Sequence, residues 1–177
     1  YFQAYDASSG IELWKSDGTA TGTLLVKDIN MGTDSSYPDS FTAIGGTLYF
    51  QAYDATSGSE LWRSDGTTTG TVLVKDIHAG ANTNNSYPTS LTNAGGTLYF
   101  WATDSQNGKE LWKSNGTAGG TVLVKDINIG VGSSGSANLM VAGNLLYFSA
   151  SDGVRGYELW RTDGSETGTY MVADIDS

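Results

Sequence analysis

The chain has 177 residues, 9 of them basic and 19 acidic, for a formal net charge of -10 and a pI near 4.2. That balance argues against nucleic acid or an anionic membrane surface as a partner, because both demand clustered Lys and Arg. It contains 0 Cys, so there is no disulfide framework or thiolate metal site, and no apolar run reaches the about 18 residues that suggest a membrane-spanning helix.

A repeat organises everything else. Glu-Leu-Trp stands at 12–14, 60–62, 110–112 and 158–160, with spacings of 48, 50 and 48 residues. A longer frame surrounds each copy: Tyr-Phe at Tyr1, Tyr49, Tyr99 and Tyr147, then Ser-Asp-Gly-Thr or a close variant, then Gly-Thr, then Val-Lys-Asp-Ile. Counted from Tyr-Phe, residues 1–177 form one array with units 1–48, 49–98, 99–146 and 147–177, the last stopping mid-repeat. A core shared between neighbouring units is expected, so a lone unit is marginal.

In chain order, the second unit shows the elements most clearly. After the Gly45-Gly46 turn signal, residues 47–53 read as a strand, and residues 54–58 supply turn chemistry before a second strand over 60–64. The connector 65–70 leads to a third strand over 71–77, rich in β-branched residues. An Asn- and Ser-rich loop, Tyr87-Pro88 and a short fourth strand near 89–94 follow, and the matching short strands fall near 39–44 and 137–142. Alternation puts Phe50 and Ala52 on one face and Tyr49, Gln51 and Tyr53 on the other, with bulky groups on both.

Small four-stranded sheets covered on both faces and repeated every 48 or so residues predict an all-β fold, a β-propeller of antiparallel four-stranded blades. A β-solenoid is the alternative. In the propeller the Ser-Leu-Thr strand is innermost, so the first unit lacks its inner strand. A longer parent, a partner copy or a filament neighbour is expected to supply it.

The string Glu60-Leu61-Trp62-Arg63-Ser64-Asp65-Gly66-Thr67, followed by Gly70-Thr71 and Val74-Lys75-Asp76-Ile77, resembles the bacterial ELWxxDGT repeat proteins. The resemblance spans all four units. It implies a secreted or cell-surface repeat protein, and because the chain starts at Tyr1 a signal peptide is expected to have been removed or to lie outside it. Departures are Asn115 for Asp, Ser165 for Thr, Ala173 for Lys, and Gly135-Ser136-Ala137 near where the first two units carry Tyr-Pro.

Trp14, Trp62, Trp112 and Trp160 invite a sugar-stacking reading. A Trp fixed in the middle of every blade is better explained as structural core, where it buries about 150–250 Å². Trp101 differs, because Gln3, Gln51 and Ser149 replace it in the other units, and it is expected near the surface. Together with Tyr53, Asp54 and Asp104 it makes a candidate ligand-binding set.

Asp17, Asp65 and Asp163 are candidate oxygen ligands for calcium. The same Asp-Gly pairs are first of all turn chemistry, and no EF-hand-type loop is present. No other cofactor is expected. Asp28 and its equivalents are expected to accept from neighbouring turns, with Lys and the Glu12-type carboxylates pairing across strands or blades.

Enzyme chemistry has little material. His78 is the only His, and each carboxylate pair belongs to the repeated frame. The sequence therefore predicts a noncatalytic extracellular scaffold, with a multivalent carbohydrate-binding propeller and a filament or sheath subunit as alternatives. Glycans or surface proteins are the expected partners, met through loops 32–36, 80–85 and 130–135. Self-association through the incomplete blade is the other expected contact.

Overall fold

The computed structural model describes residues 1–80, 84–135 and 139–175. Every regular element among them is a strand. The chain divides into two compact units, Tyr1–Tyr87 and Pro88–Ser177.

The first unit holds a three-stranded antiparallel sheet of β1 (Phe2–Asp6), β2 (Gly10–Lys15) and β3 (Leu24–Lys27). It also holds a four-stranded sheet of β4 (Asp39–Ile44), β5 (Thr47–Asp54), β6 (Gly58–Ser64) and β7 (Val72–Lys75). The second unit repeats the four-stranded pattern twice. One sheet comprises β8 (Thr89–Ala94), β9 (Thr97–Asp104), β10 (Gly108–Ser114) and β11 (Val122–Lys125). The other comprises β12 (Met140–Ala142), β13 (Leu145–Ser151), β14 (Tyr157–Thr162) and β15 (Tyr170–Ala173).

Each sheet is a meander whose strands pair in sequence order. The short strands expected at 39–44 and 89–94 are β4 and β8. Of the one expected at 137–142, residues 137 and 138 lie outside the described residues, as do 81–83 of the second variable loop. Among the described residues no strand pairs with the edge of β1 that corresponds to the place β4 takes beside β5.

Local chemistry sets these boundaries. Gly45 and Gly46 both take positive φ, 58° and 84°, in the two-residue connection from β4 to β5. Two left-handed residues in a row match the twist of a tight hairpin, and only Gly adopts them without strain. A register shift recurs between Leu and Trp of the third strand pair, at Leu13/Trp14, Leu61/Trp62, Leu111/Trp112 and Leu159/Trp160. Such a bulge inserts an extra residue and increases the local twist. In three sheets the extra residue, Val26, Val74 or Val124, is buried.

In the first unit the two sheets share one core, with Leu13 and Val26 against Leu48, Phe50, Ala52 and Trp62, and Ile29 beside them. In the second, Trp101, Leu111 and Val124 pack with Leu146, Phe148, Ala150 and Trp160. Lysines tie the paired sheets as well as greasy contact does. Lys27 Nζ donates to the Thr71 carbonyl at 2.8 Å and Lys15 Nζ to that of Gly66 at 2.8 Å. Lys125 and Lys113 repeat this on Thr169 and Gly164, at 2.8 and 2.7 Å. Lys27 and Lys125 of the repeated frame are thus sheet-to-sheet donors, a reach that suits a long amphipathic side chain.

Candidate functional site

The element that builds a site is the connector from β3 to β4, residues 28–38, and a single carboxylate holds it. Glu12 on β2 is fully buried. It accepts the N–H groups of Ile29, Asn30 and Ser36 at 3.0, 3.2 and 3.1 Å, and the Ser36 hydroxyl at 2.5 Å. Both ends of the connector are therefore fastened to one side chain.

Further bonds finish the path. The Ile11 N–H donates to the Ser35 hydroxyl at 2.9 Å, and Asn30 Nδ2 donates to the Ser35 carbonyl at 3.2 Å. Ser36 and Tyr37 both donate from their N–H groups to the Ile11 carbonyl, and the Ser36 carbonyl accepts the Tyr53 N–H at 2.8 Å. Gly10 is required beneath it, since a Cβ there would stand 2.3 Å from the Asp34 carbonyl oxygen.

This path leaves a cleft of about 470 Å³ lined by Asn30, Asp34, Ser35, Tyr37, Tyr53 and Ala55. Tyr37 is 58% exposed and takes φ of 48°, immediately before Pro38. A bulky residue in the left-handed region is an outlier, and such strain concentrates at functional positions. Tyr87, before Pro88, repeats the conformation at 45°, on the connector held by Glu60. Glu60 accepts the N–H groups of Ile77 and Ser86, both at 2.9 Å, and the Ser86 hydroxyl at 2.6 Å.

The second unit carries the same framework with a different lining. Glu110 accepts the Ile127 and Asn128 N–H groups at 3.1 and 3.3 Å and the Ser134 hydroxyl at 2.5 Å. Ser151 donates from its N–H to the Ser134 carbonyl at 2.7 Å, as Tyr53 does to Ser36. There Gly135 follows the anchored Ser in place of Tyr37, and Ser151 stands in place of Tyr53.

Burial dominates the electrostatics of these carboxylates. It pushes Glu110 up to about 7, against the opposing hydrogen bonds from Ser134, Ile127 and Asn128, with Asp126 adding a like charge. Glu12 and Glu60 are raised for the same reason, with Asp28 and Asp76 as the like-charged neighbours.

Trp101 is a correction. It is fully buried, edge-on to Phe148 with ring centroids 5.6 Å apart. Its Cη2 lies 3.1 Å from where a Gly135 Cβ would be, so the connector passes directly over the indole. The position varies because the covering residue varies with it. Where the connector carries Gly135, a Trp fills the space beneath.

Asp54 and Asp104 serve their own turns. Asp54 Oδ1 accepts the Thr56 and Ser57 N–H groups at 2.7 and 3.0 Å, and Asp104 Oδ1 accepts those of Gln106 and Asn107 at 2.9 and 2.6 Å. Of the candidate ligand set, only Tyr53 lines the cleft. Trp62, Trp112 and Trp160 are buried, and Trp14 is half-buried.

Asp17, Asp65 and Asp163 stand in three separate turns of identical design. Asp65 Oδ1 accepts the Thr67 N–H and hydroxyl at 2.9 and 2.7 Å, and these bonds hold its carboxyl below the usual range. Thr19 does the same for Asp17 and Ser165 for Asp163. Among the described residues no group of three or more His, Cys, Asp or Glu side chains is placed to hold a metal.

Sequence reasoning missed Tyr37 and the connector's anchoring Ser. One signal was available: a Ser follows the repeated Glu at 24, 26 and 24 residues, in Glu12–Ser36, Glu60–Ser86 and Glu110–Ser134. No protein-family model, curated protein or solved structure matches the chain.

Proposed function

We propose that this chain is a noncatalytic extracellular or cell-surface scaffold, whose sheets are blades of a β-propeller and whose connectors present its contact surface. One observation carries the reading: the repeated Glu, Lys and turn Asp side chains are committed to holding the chain. Glu12, Glu60 and Glu110 fasten connectors, Asp17, Asp65 and Asp163 close their own turns, and Lys27 and Lys125 bridge sheets. His78, the only imidazole, bonds through Nδ1 to the Asn85 carbonyl at 3.1 Å. The secreted or surface location rests on the resemblance to ELWxxDGT repeat proteins.

The test is a turnover screen against polysaccharides and peptides, read by mass spectrometry. The scaffold reading expects no products, and any turnover that survives repurification contradicts it.

A multivalent lectin with one equivalent site per blade is less well supported, because Trp62, Trp112 and Trp160 are buried and the cleft lining changes from Tyr37 and Tyr53 to Gly135 and Ser151. A filament or sheath subunit draws on β1, whose outer edge carries no strand among the described residues. An unpaired edge is a template for strand addition. Light scattering over a concentration series tests it: growth in mass supports the filament, and constant mass removes it.

A further inference from the structure

We propose that the cleft between Tyr37 and Tyr53 binds a neutral pyranose sugar, such as the terminal residue of a glycan, as a single site rather than one of a repeated set. The inference stands apart from the scaffold reading, since a noncatalytic array folds equally well with the cleft empty.

Three observations converge. The first is the lining: Tyr37 and Tyr53 border a space that Asp34 and Ser35 also line, with Asn30 beside them holding the Ser35 carbonyl. A pyranose offers an apolar C–H face to an aromatic ring and vicinal hydroxyls to carboxylate and amide oxygens, which is this set of groups. At about 470 Å³ the space falls in the lower part of the roughly 300–1,000 Å³ typical of small-ligand sites. Among the described residues no donor reaches the Asp34 carboxylate, so its acceptor capacity is unspent.

The second is preorganisation. Ser36, the residue before Tyr37, is fully buried and fixed by Glu12, so the tyrosine is held in its left-handed conformation rather than merely visiting it. Conformations of that kind are costly and persist only where the surroundings over-determine them. Packing gives no reason for that cost here, because the ring is 58% exposed. A rigid, exposed aromatic lowers the entropy lost on binding.

The third is the contrast between units. Glu110 and Ser134 reproduce the anchor around Gly135 and Ser151, so the framework does not need either tyrosine. Two phenols and a carboxylate also suit an organic ammonium. The Ser35 hydroxyl, which accepts the Ile11 N–H and keeps its own proton to donate, favours a polyhydroxylated ligand, and the ammonium becomes an arm of the test.

The experiment is an NMR titration of the full chain with methyl glycosides of glucose, galactose, mannose and N-acetylglucosamine, and separately with tetramethylammonium chloride. Saturable shifts of the Asn30, Ser35, Tyr37 and Tyr53 amides with at least one glycoside are expected, weakened about tenfold by Tyr37→Ala, as loss of one aromatic contact implies. Asp34→Asn, at an exposed side chain outside the connector's bonds, gives a second readout and is expected to weaken binding in the same direction. The urea midpoint, measured in parallel, separates loss of the site from loss of the fold. No shift with any glycoside, a response to tetramethylammonium alone, or glycoside binding that survives both substitutions would each overturn the proposal.

Discussion

Glu60 accepts the Ser86 hydroxyl at 2.6 Å and the Ser86 N–H at 2.9 Å, joining an inner strand of its sheet to a residue 26 positions later. The same pairing links Glu12 to Ser36 and Glu110 to Ser134. A long connector is thereby made as well determined as the sheet it leaves.

Truncating Glu60 should be costly. Glu60→Ala strands the buried Ile77 N–H, at about 1–3 kcal/mol for an unsatisfied buried group, removes the acceptor of the Ser86 hydroxyl, and leaves the Ser86 N–H only the Ser59 carbonyl at 3.1 Å. A loss of about 3 kcal/mol in urea denaturation is expected, against about 1 kcal/mol for Ser86→Ala. The double variant should lose less than the sum, because the two residues share one network.

The raised Glu110 gives a pH dependence with a definite sign. Its folded value of about 7 lies above the ordinary 4.5, so between these values the folded state holds more protons than the unfolded one. The stability this confers is complete below pH 4.5 and is lost as pH rises through 7. The gap corresponds to about 3 kcal/mol. Glu110→Gln should flatten the stability profile between pH 4.5 and 7, measured by urea denaturation at each pH. The turn carboxylates act oppositely: Asp17, Asp65 and Asp163 are depressed by their hydroxyl and amide donors, so their contribution is lost as pH falls below 3.8.

The second Gly of the repeat exists for the first Asp. A Cβ on Gly70 would lie 2.0 Å from Asp65 Oδ1, and one on Gly168 would lie 2.1 Å from Asp163 Oδ1. Gly70→Ala therefore expels the carboxylate from its turn, with an expected loss of about 1–3 kcal/mol. In Asp65→Ala the obstacle is gone, so adding Gly70→Ala should cost much less. Additive losses would contradict the contact.

Trp101→Ala empties a fully enclosed volume next to Phe148 and should destabilise by about 3–5 kcal/mol. Tyr37→Ala, at an exposed ring, should change the urea midpoint little. Reversed magnitudes would show that the core has been misplaced.

The all-β character and the sheet-forming segments were legible because the period repeats them and alternation marks their faces. The Gly45-Gly46 and Gly95-Gly96 hairpins were legible from dipeptide chemistry. The bulge at Leu61/Trp62 was not, since it follows from where Val74 is accommodated across two strands rather than from any one residue. Trp101 misled because variability usually marks a surface, whereas here its burial depends on Gly135, 34 positions away, leaving room for the indole. Tyr37 was hidden for a related reason: its strain is imposed by Glu12, a residue of a different strand.

The most direct test of the central claim is electron microscopy of the purified chain. The account predicts discrete particles in which the sheets radiate about a common axis. Sheets stacked along a line, or continuous filaments without a radial arrangement, would contradict the propeller scaffold.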